Sequence, residues 1–249
     1  MQTGESSVST HTTSDWFTTT HWSVVLTAGQ SGSPAAFQAL ERLCQTYWYP
    51  LYTYVRRQGY SPDDAQDLTQ AFFERVLEKN YFAQVAQDRG RFRAFLLAAL
   101  KHFLSDQRDH ERAAKRGGGR LPLSLDAQEG EQRYLLEPAD TLTPEKLYER
   151  RWALTVLDQA RARLRDEFAA AGKSDLYEAL TGLETGEDTN LTYAELGQRL
   201  GLSESAIKSA ALRLRRRYGE LVREAIAQTV ASASEIDEEV RYLLAVVAG

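Results

Sequence analysis

Two glycines four residues apart, Gly197 and Gly201, constrain this chain more than any other feature. They lie in the run TYAELGQRLGLSESAIKSAALRLRRRY, residues 192–218. Thr192 has the chemistry of an N-cap, and Glu195, three residues later, completes a capping box. Leu196 and Leu200 then face a core. Gly197 stands where two helices approach closely, and Gly201 where a tight turn needs positive φ. Ser203 caps a second helix. On that helix Ile207, Ala210, Ala211, Leu214 and Tyr218 recur at helical spacing as one apolar stripe. Ser205, Ser209, Leu212, Arg213 and Arg216 take the opposite face. Lys208, Arg213, Arg215, Arg216 and Arg217 add cations with no acid among residues 208–217. This is a helix-turn-helix. A helix with small polar residues first and arginines behind them suits the major groove of DNA. An ordinary helical hairpin with a solvated basic face is the competing reading, and the glycine spacing weighs against it.

A DNA-binding role has to be reconciled with a net charge of −5 over 249 residues. Distribution resolves the conflict. Residues 89–120 carry nine basic and three acidic side chains, hence +6, whereas 126–149 and the tail after residue 234 are acidic. Two basic islands in an acidic chain point to two nucleic-acid contacts, with other surfaces kept for other partners. Hydrophobic residues at 43% and charged residues at 26% are ordinary for a globular protein. No apolar run approaches the length of a membrane span, and no signal-peptide pattern opens the chain, so the expectation is a cytoplasmic protein without membrane contact. The one cysteine, Cys44, falls in an apolar helical pattern and reads as a buried, inert thiol.

Helical periodicity recurs along the chain. Residues 1–15, rich in Ser and Thr, read as disordered. A helix over about 34–58 is unusually aromatic (Tyr47, Trp48, Tyr49, Tyr52, Tyr54), and Pro50 is a candidate kink. Ser61, Pro62 and Asp64 start the next helix. Its apolar face is Ala65, Leu68, Thr69, Phe72, Phe73 and Val76. Asp67, Gln70, Glu74 and Glu78 form an acidic stripe opposite, either a solvated face or a docking surface for a basic partner. After a loop over 79–90, Phe92, Phe95, Leu96, Ala99, Leu100, Phe103 and Leu104 keep strict helical spacing, with Lys101, Ser105 and Arg108 on the far side. Gly117, Gly118 and Gly119 end that basic helix. Residues 119–143 read as a polar linker without period. A second block begins at 144 with an amphipathic helix through Trp152, Leu154, Leu157, Leu164 and Phe168. Residues 231–249 carry a last amphipathic helix (Val240, Leu243, Leu244, Val247), a docked cap or a regulatory element.

The expectation is thus an all-α chain of two helical domains, 16–118 and 144–230, joined by the linker and followed by a C-terminal extension. This arrangement resembles the extracytoplasmic-function (group IV) sigma factors of bacterial RNA polymerase, in a divergent branch. SPDDAQDLTQAFFERVLEK resembles sigma region 2.2, RFRAFLLAALKHFLSDQRDHERA resembles regions 2.3 and 2.4, and LTYAELGQRLGLSESAIKSAALRLRRRY resembles region 4.2. The likeness covers most of 34–116 and 146–225. It implies docking of Asp64, Asp67 and Gln70, with Glu74 on the same stripe, against the clamp coiled coil of core polymerase. It implies capture of a flipped base of the −10 element in the loop before the region 2.4 helix, where Tyr81 and Phe82 are available for stacking. Stacking contributes ~1–3 kcal/mol per base, against a few kcal/mol for unstacking. Arg91, Arg93, Lys101, His102 and Arg108 would hold the strand, and Ser205, Lys208, Ser209, Arg213 and Arg216 would read and grip the −35 duplex. An anti-sigma factor is a further partner that the resemblance allows. The chain departs from the pattern at Phe95, where many members carry Trp, at His102, where they carry Asn, and at Ala210, where Arg is usual.

Enzymatic motifs are missing from the sequence. His11, His21, His102 and His110 lack metal-ligand spacing, and there is no phosphate loop or GxSxG. The expectation is a non-enzyme without cofactor. Two rival functions stay open. One is a dimeric helix-turn-helix regulator independent of polymerase, and the other is a sigma-like adaptor acting through protein contacts.

Overall fold

In the computed structural model, residues 34–78, 91–113, 127–135, 142–185, 192–230 and 232–249 are described. Every regular element among them is helical: α1 (Pro34–Arg57), α2 (Pro62–Glu78), α3 (Phe92–Ala113), α4 (Ala127–Leu135), α5 (Pro144–Ala170), α6 (Ser174–Thr185), α7 (Tyr193–Leu200), α8 (Glu204–Ala227), a short 3-10 turn (Ala233–Glu235) and α9 (Ile236–Ala248). The expected all-α class holds. The segments 1–15 and 117–119 lie outside the described residues.

The apolar interior is divided in two. The first core gathers α1 (Tyr47, Leu51, Tyr52, Val55), α2 (Phe72, Val76) and α3 (Phe92, Leu96, Leu100, Phe103). Helical spacing of large side chains puts them on one face of each helix, so each helix must bury that face against the others. The same core takes in Tyr148, Trp152 and Val156 of α5, Ile226 of α8, and Ile236 and Leu243 of α9. The second core joins Ala160 and Leu164 of α5 to Tyr177 and Leu180 of α6, Leu196 of α7, and Ile207, Ala211 and Leu214 of α8. The division therefore runs across α5, whose 27 residues serve one core with the first half and the other with the second. α1 and α5 make the most extensive helix–helix contact. Pro50 sits inside one continuous helix and is itself buried.

Within 119–143 the structure holds a helix where the sequence suggests only a linker. α4 docks through Gly130, where an added Cβ would meet the Trp48 ring at 3.0 Å. That ring stacks on Tyr52, centroids 5.2 Å apart. Arg56 clasps Glu131 with two hydrogen bonds of 2.8 and 2.9 Å, and the Tyr52 hydroxyl donates to the same carboxylate. A nine-residue helix is marginal in isolation, so these tertiary contacts define it rather than its own periodicity.

Candidate nucleic-acid and polymerase interfaces

The helix-turn-helix forms as its sequence dictates. Thr192 Oγ1 accepts the Glu195 N–H at 3.3 Å, and the Glu195 carboxylate accepts the Thr192 N–H at 2.8 Å. That backbone bond, with the Thr192 hydroxyl second, holds the Glu195 carboxyl below its ordinary range. Gly201 closes α7 at φ 66, a left-handed value that costs glycine little. Gly197 is needed for a different reason. A Cβ there would lie 2.6 Å from the Leu202 carbonyl oxygen, inside the turn. Ser203 Oγ accepts the Ala206 N–H at 3.2 Å and starts α8. Ile207, Ala210, Ala211 and Leu214 are buried, which fixes the outward face as Ser205, Lys208, Ser209, Leu212, Arg213 and Arg216, all exposed.

The basic residues of α8 divide by direction. Lys208 pairs with Glu204 at 2.7 Å and Arg216 with Glu220 at 3.1 Å, each one helical turn away on an exposed surface. Such pairs contribute only ~0.3–0.5 kcal/mol, so either cation can exchange its partner for a phosphate. Arg217 points the other way. It reaches Glu167 of α5 with bonds of 2.8 and 2.9 Å, and also Glu220 and Glu224, tying α8 to α5.

α2 presents its acidic stripe outward. Ser61 Oγ accepts the Asp64 N–H at 3.1 Å as the cap. Ala65, Thr69, Phe72 and Val76 are buried, leaving Asp64 and Asp67 exposed and Gln70 and Glu74 half-exposed. Gln70 donates to Glu74 at 3.1 Å along the stripe.

The expected strand-binding residues are dispersed. Tyr81 and Phe82 lie outside the described residues. Lys101 is exposed and paired with Glu145 at 2.7 Å, His102 is exposed, and Arg108 donates to the Tyr60 hydroxyl at 2.9 Å. Arg91 and Arg93 depart most from an open strand-binding surface. Arg93, with a side chain 5% exposed, forms a 2.7 Å ion pair with Glu239 of α9, itself 1% exposed, and a 3.0 Å pair with Glu149 of α5. Burial opposes the charge on its guanidinium. The hydrogen bond and charge of Glu239 outweigh burial and hold its pKa above the ordinary value. Arg91 pairs with Glu239 at 2.7 Å and with Glu238. Tyr242 lies under both guanidiniums, 4.0 Å from Arg93 and 5.6 Å from Arg91. The physical reason is steric as well as electrostatic. Residue 93 falls on the side of α3 that faces α5, where the Tyr148 hydroxyl donates to its carbonyl at 2.9 Å.

Glu238, Glu239 and Tyr242 are thus the residues that sequence reasoning missed. The acid run at the start of α9 was the available signal, although an anionic first turn is favourable at any helix N-terminus and does not by itself name a partner. Among the described residues no His, Cys, Asp or Glu cluster could hold a metal ion, and no helix is long and apolar enough to cross a membrane. Compared with protein-family models, with curated proteins and with solved structures, the chain matches none.

Proposed function

We propose that the chain is a sigma factor of bacterial RNA polymerase, directing promoter recognition through −10 and −35 elements. The observation that carries the reading is the pairing, on one chain, of a capped helix-turn-helix with a polar and basic outward face on α8 and an acidic outward stripe on α2. In this reading the residues 16–118 bind the clamp coiled coil and the −10 strand, and 144–230 bind the −35 duplex. Asp64, Asp67, Gln70 and Glu74 contact polymerase. Ser205, Lys208, Ser209, Arg213 and Arg216 contact DNA. The work is done in the cytoplasm by binding alone, without cofactor or bond-breaking chemistry.

Binding of the full chain to bacterial core RNA polymerase tests it, wild type beside Asp67→Arg. Asp67 is exposed, so the variant keeps its fold. Submicromolar affinity in the wild type, weakened by about tenfold or more in the variant, supports the reading. No binding, together with a stable homodimer that takes a symmetric duplex site, sinks it in favour of a polymerase-independent regulator.

A further inference from the structure

Arg91 and Arg93 converge on the first turn of α9 across 146 positions of chain. Two guanidiniums share the Glu239 carboxylate, Glu238 takes a second bond from Arg91, and the Tyr242 ring lies against both cations. Paired guanidinium forks around one oxyanion are also how proteins hold a phosphodiester. We propose that α9 is an internal stand-in for a nucleic-acid backbone. Its carboxylates occupy a phosphate grip formed by Arg91 and Arg93, and α9 leaves when a nucleic-acid strand reaches them. The inference rests on the sigma reading, which assigns these arginines to DNA, and adds to it the occupant that keeps them from DNA in the free chain.

The geometry suits an exchange. Replacing one anion by another never leaves a buried arginine unpaired, which is the costly event in breaking such a pair. α9 has 13 residues, and of these only Ile236, Glu239 and Leu243 are buried. Leu244 on its outer face is exposed. The Glu238 side chain is 65% exposed, so an incoming phosphate meets the Arg91 pair first. The contrast is Arg217, whose carboxylate partners belong to α5 and α8, two helices at the centre of the second core.

The test uses the full-length chain and a fluorescein-labelled oligothymidine, because a backbone grip needs no sequence. A latch closed about nine-tenths of the time lowers apparent affinity about tenfold. Glu238→Gln with Glu239→Gln should therefore bind about tenfold tighter than wild type, with a steeper salt dependence of about 0.7 in slope per added phosphate contact. Arg91→Ala in that background should abolish the gain. In wild type, saturation with the oligonucleotide should speed amide exchange across residues 236–248 while the core of α8 stays protected. This second measurement decides the matter if the double variant fails to fold. Unchanged affinity in a folded variant overturns the latch and leaves α9 a structural cap, as does continued protection of α9 in the DNA-saturated wild type. Absence of oligonucleotide binding in both proteins overturns it as well. Polymerase binding through Asp67 reads out separately. A chain that binds polymerase but never releases α9 keeps the proposed function and loses the latch. One that releases α9 on DNA and ignores polymerase does the reverse.

Discussion

Cys44 shows how far a single position departs from its free chemistry once the helix around it packs. It lies on α1 beside the aromatic core, and burial chiefly, with the Glu41 carboxylate second, pushes its thiol up to about 12. The thiolate is the reactive form, so at pH 8 only about one molecule in ten thousand is reactive, against roughly a quarter for a free thiol. Alkylation by iodoacetamide should run roughly a thousandfold slower than for a free cysteine in the native chain and recover in denaturant. The native rate should rise about tenfold per pH unit throughout the alkaline range, and a plateau near pH 9 would contradict the burial. The arginines of α8 make the same point about position. Arg216 and Arg217 are neighbours in sequence, yet a 100° turn of the helix sends one to solvent and the other onto Glu167. Composition alone ranks them equal, and only the helical phase set by Ile207, Ala211 and Leu214 separates them.

At the scale of elements, the α7–turn–α8 unit is held by backbone geometry that admits no side chain at one point. Gly197→Ala would drive a methyl to 2.6 Å from a main-chain oxygen that cannot swing away. Overpacking of this kind costs ~1–3 kcal/mol, and for a chain of this size a few degrees in Tm. Calorimetry should show that loss, and under the proposed reading duplex DNA affinity should fall with it, since α8 is presented by this turn. A variant with wild-type Tm would show that the turn relaxes freely. This unit was legible in the sequence because every determinant is local: caps, glycines and a 3.6-residue period within 27 residues. So were the apolar faces of α1, α2 and α3. α4 was not legible, because its order comes from Arg56, Trp48 and Tyr52, 75 to 82 positions away. The fate of Arg91 and Arg93 was equally hidden. They belong to the basic island at the start of α3, but the partners that claim them sit on α9, and pairing between distant helices leaves no periodic trace.

For the whole molecule, the sigma reading requires one body to serve two promoter elements. Two dozen base pairs at about 3.4 Å each put −10 and −35 roughly 80 Å apart. A packed chain of this length has a radius of gyration of about 18 Å, and α5, which belongs to both cores, is about 40 Å long. The described packing is therefore the free, closed form under the sigma reading, and binding must separate the surfaces of α2 and α8. The seam that has to give lies between α1 and the first half of α5. There the Tyr47 hydroxyl and the Trp152 indole N–H are buried side by side, the indole acting as the hydroxyl's hydrogen-bond neighbour. At the second core Arg217 ties α8 to Glu167 and the Tyr218 hydroxyl donates to the Leu157 carbonyl at 3.2 Å. Opening should therefore carry α5 away with α6–α8 and leave α1–α3 together. Donor and acceptor dyes placed on the exposed faces of α2 and α8 should show high energy transfer in the free chain and a marked drop on adding core polymerase. A second pair, on α6 and α8, should keep its transfer unchanged. If the first pair stays close in the polymerase complex, the chain acts as one rigid body, and promoter recognition through both elements at once is ruled out.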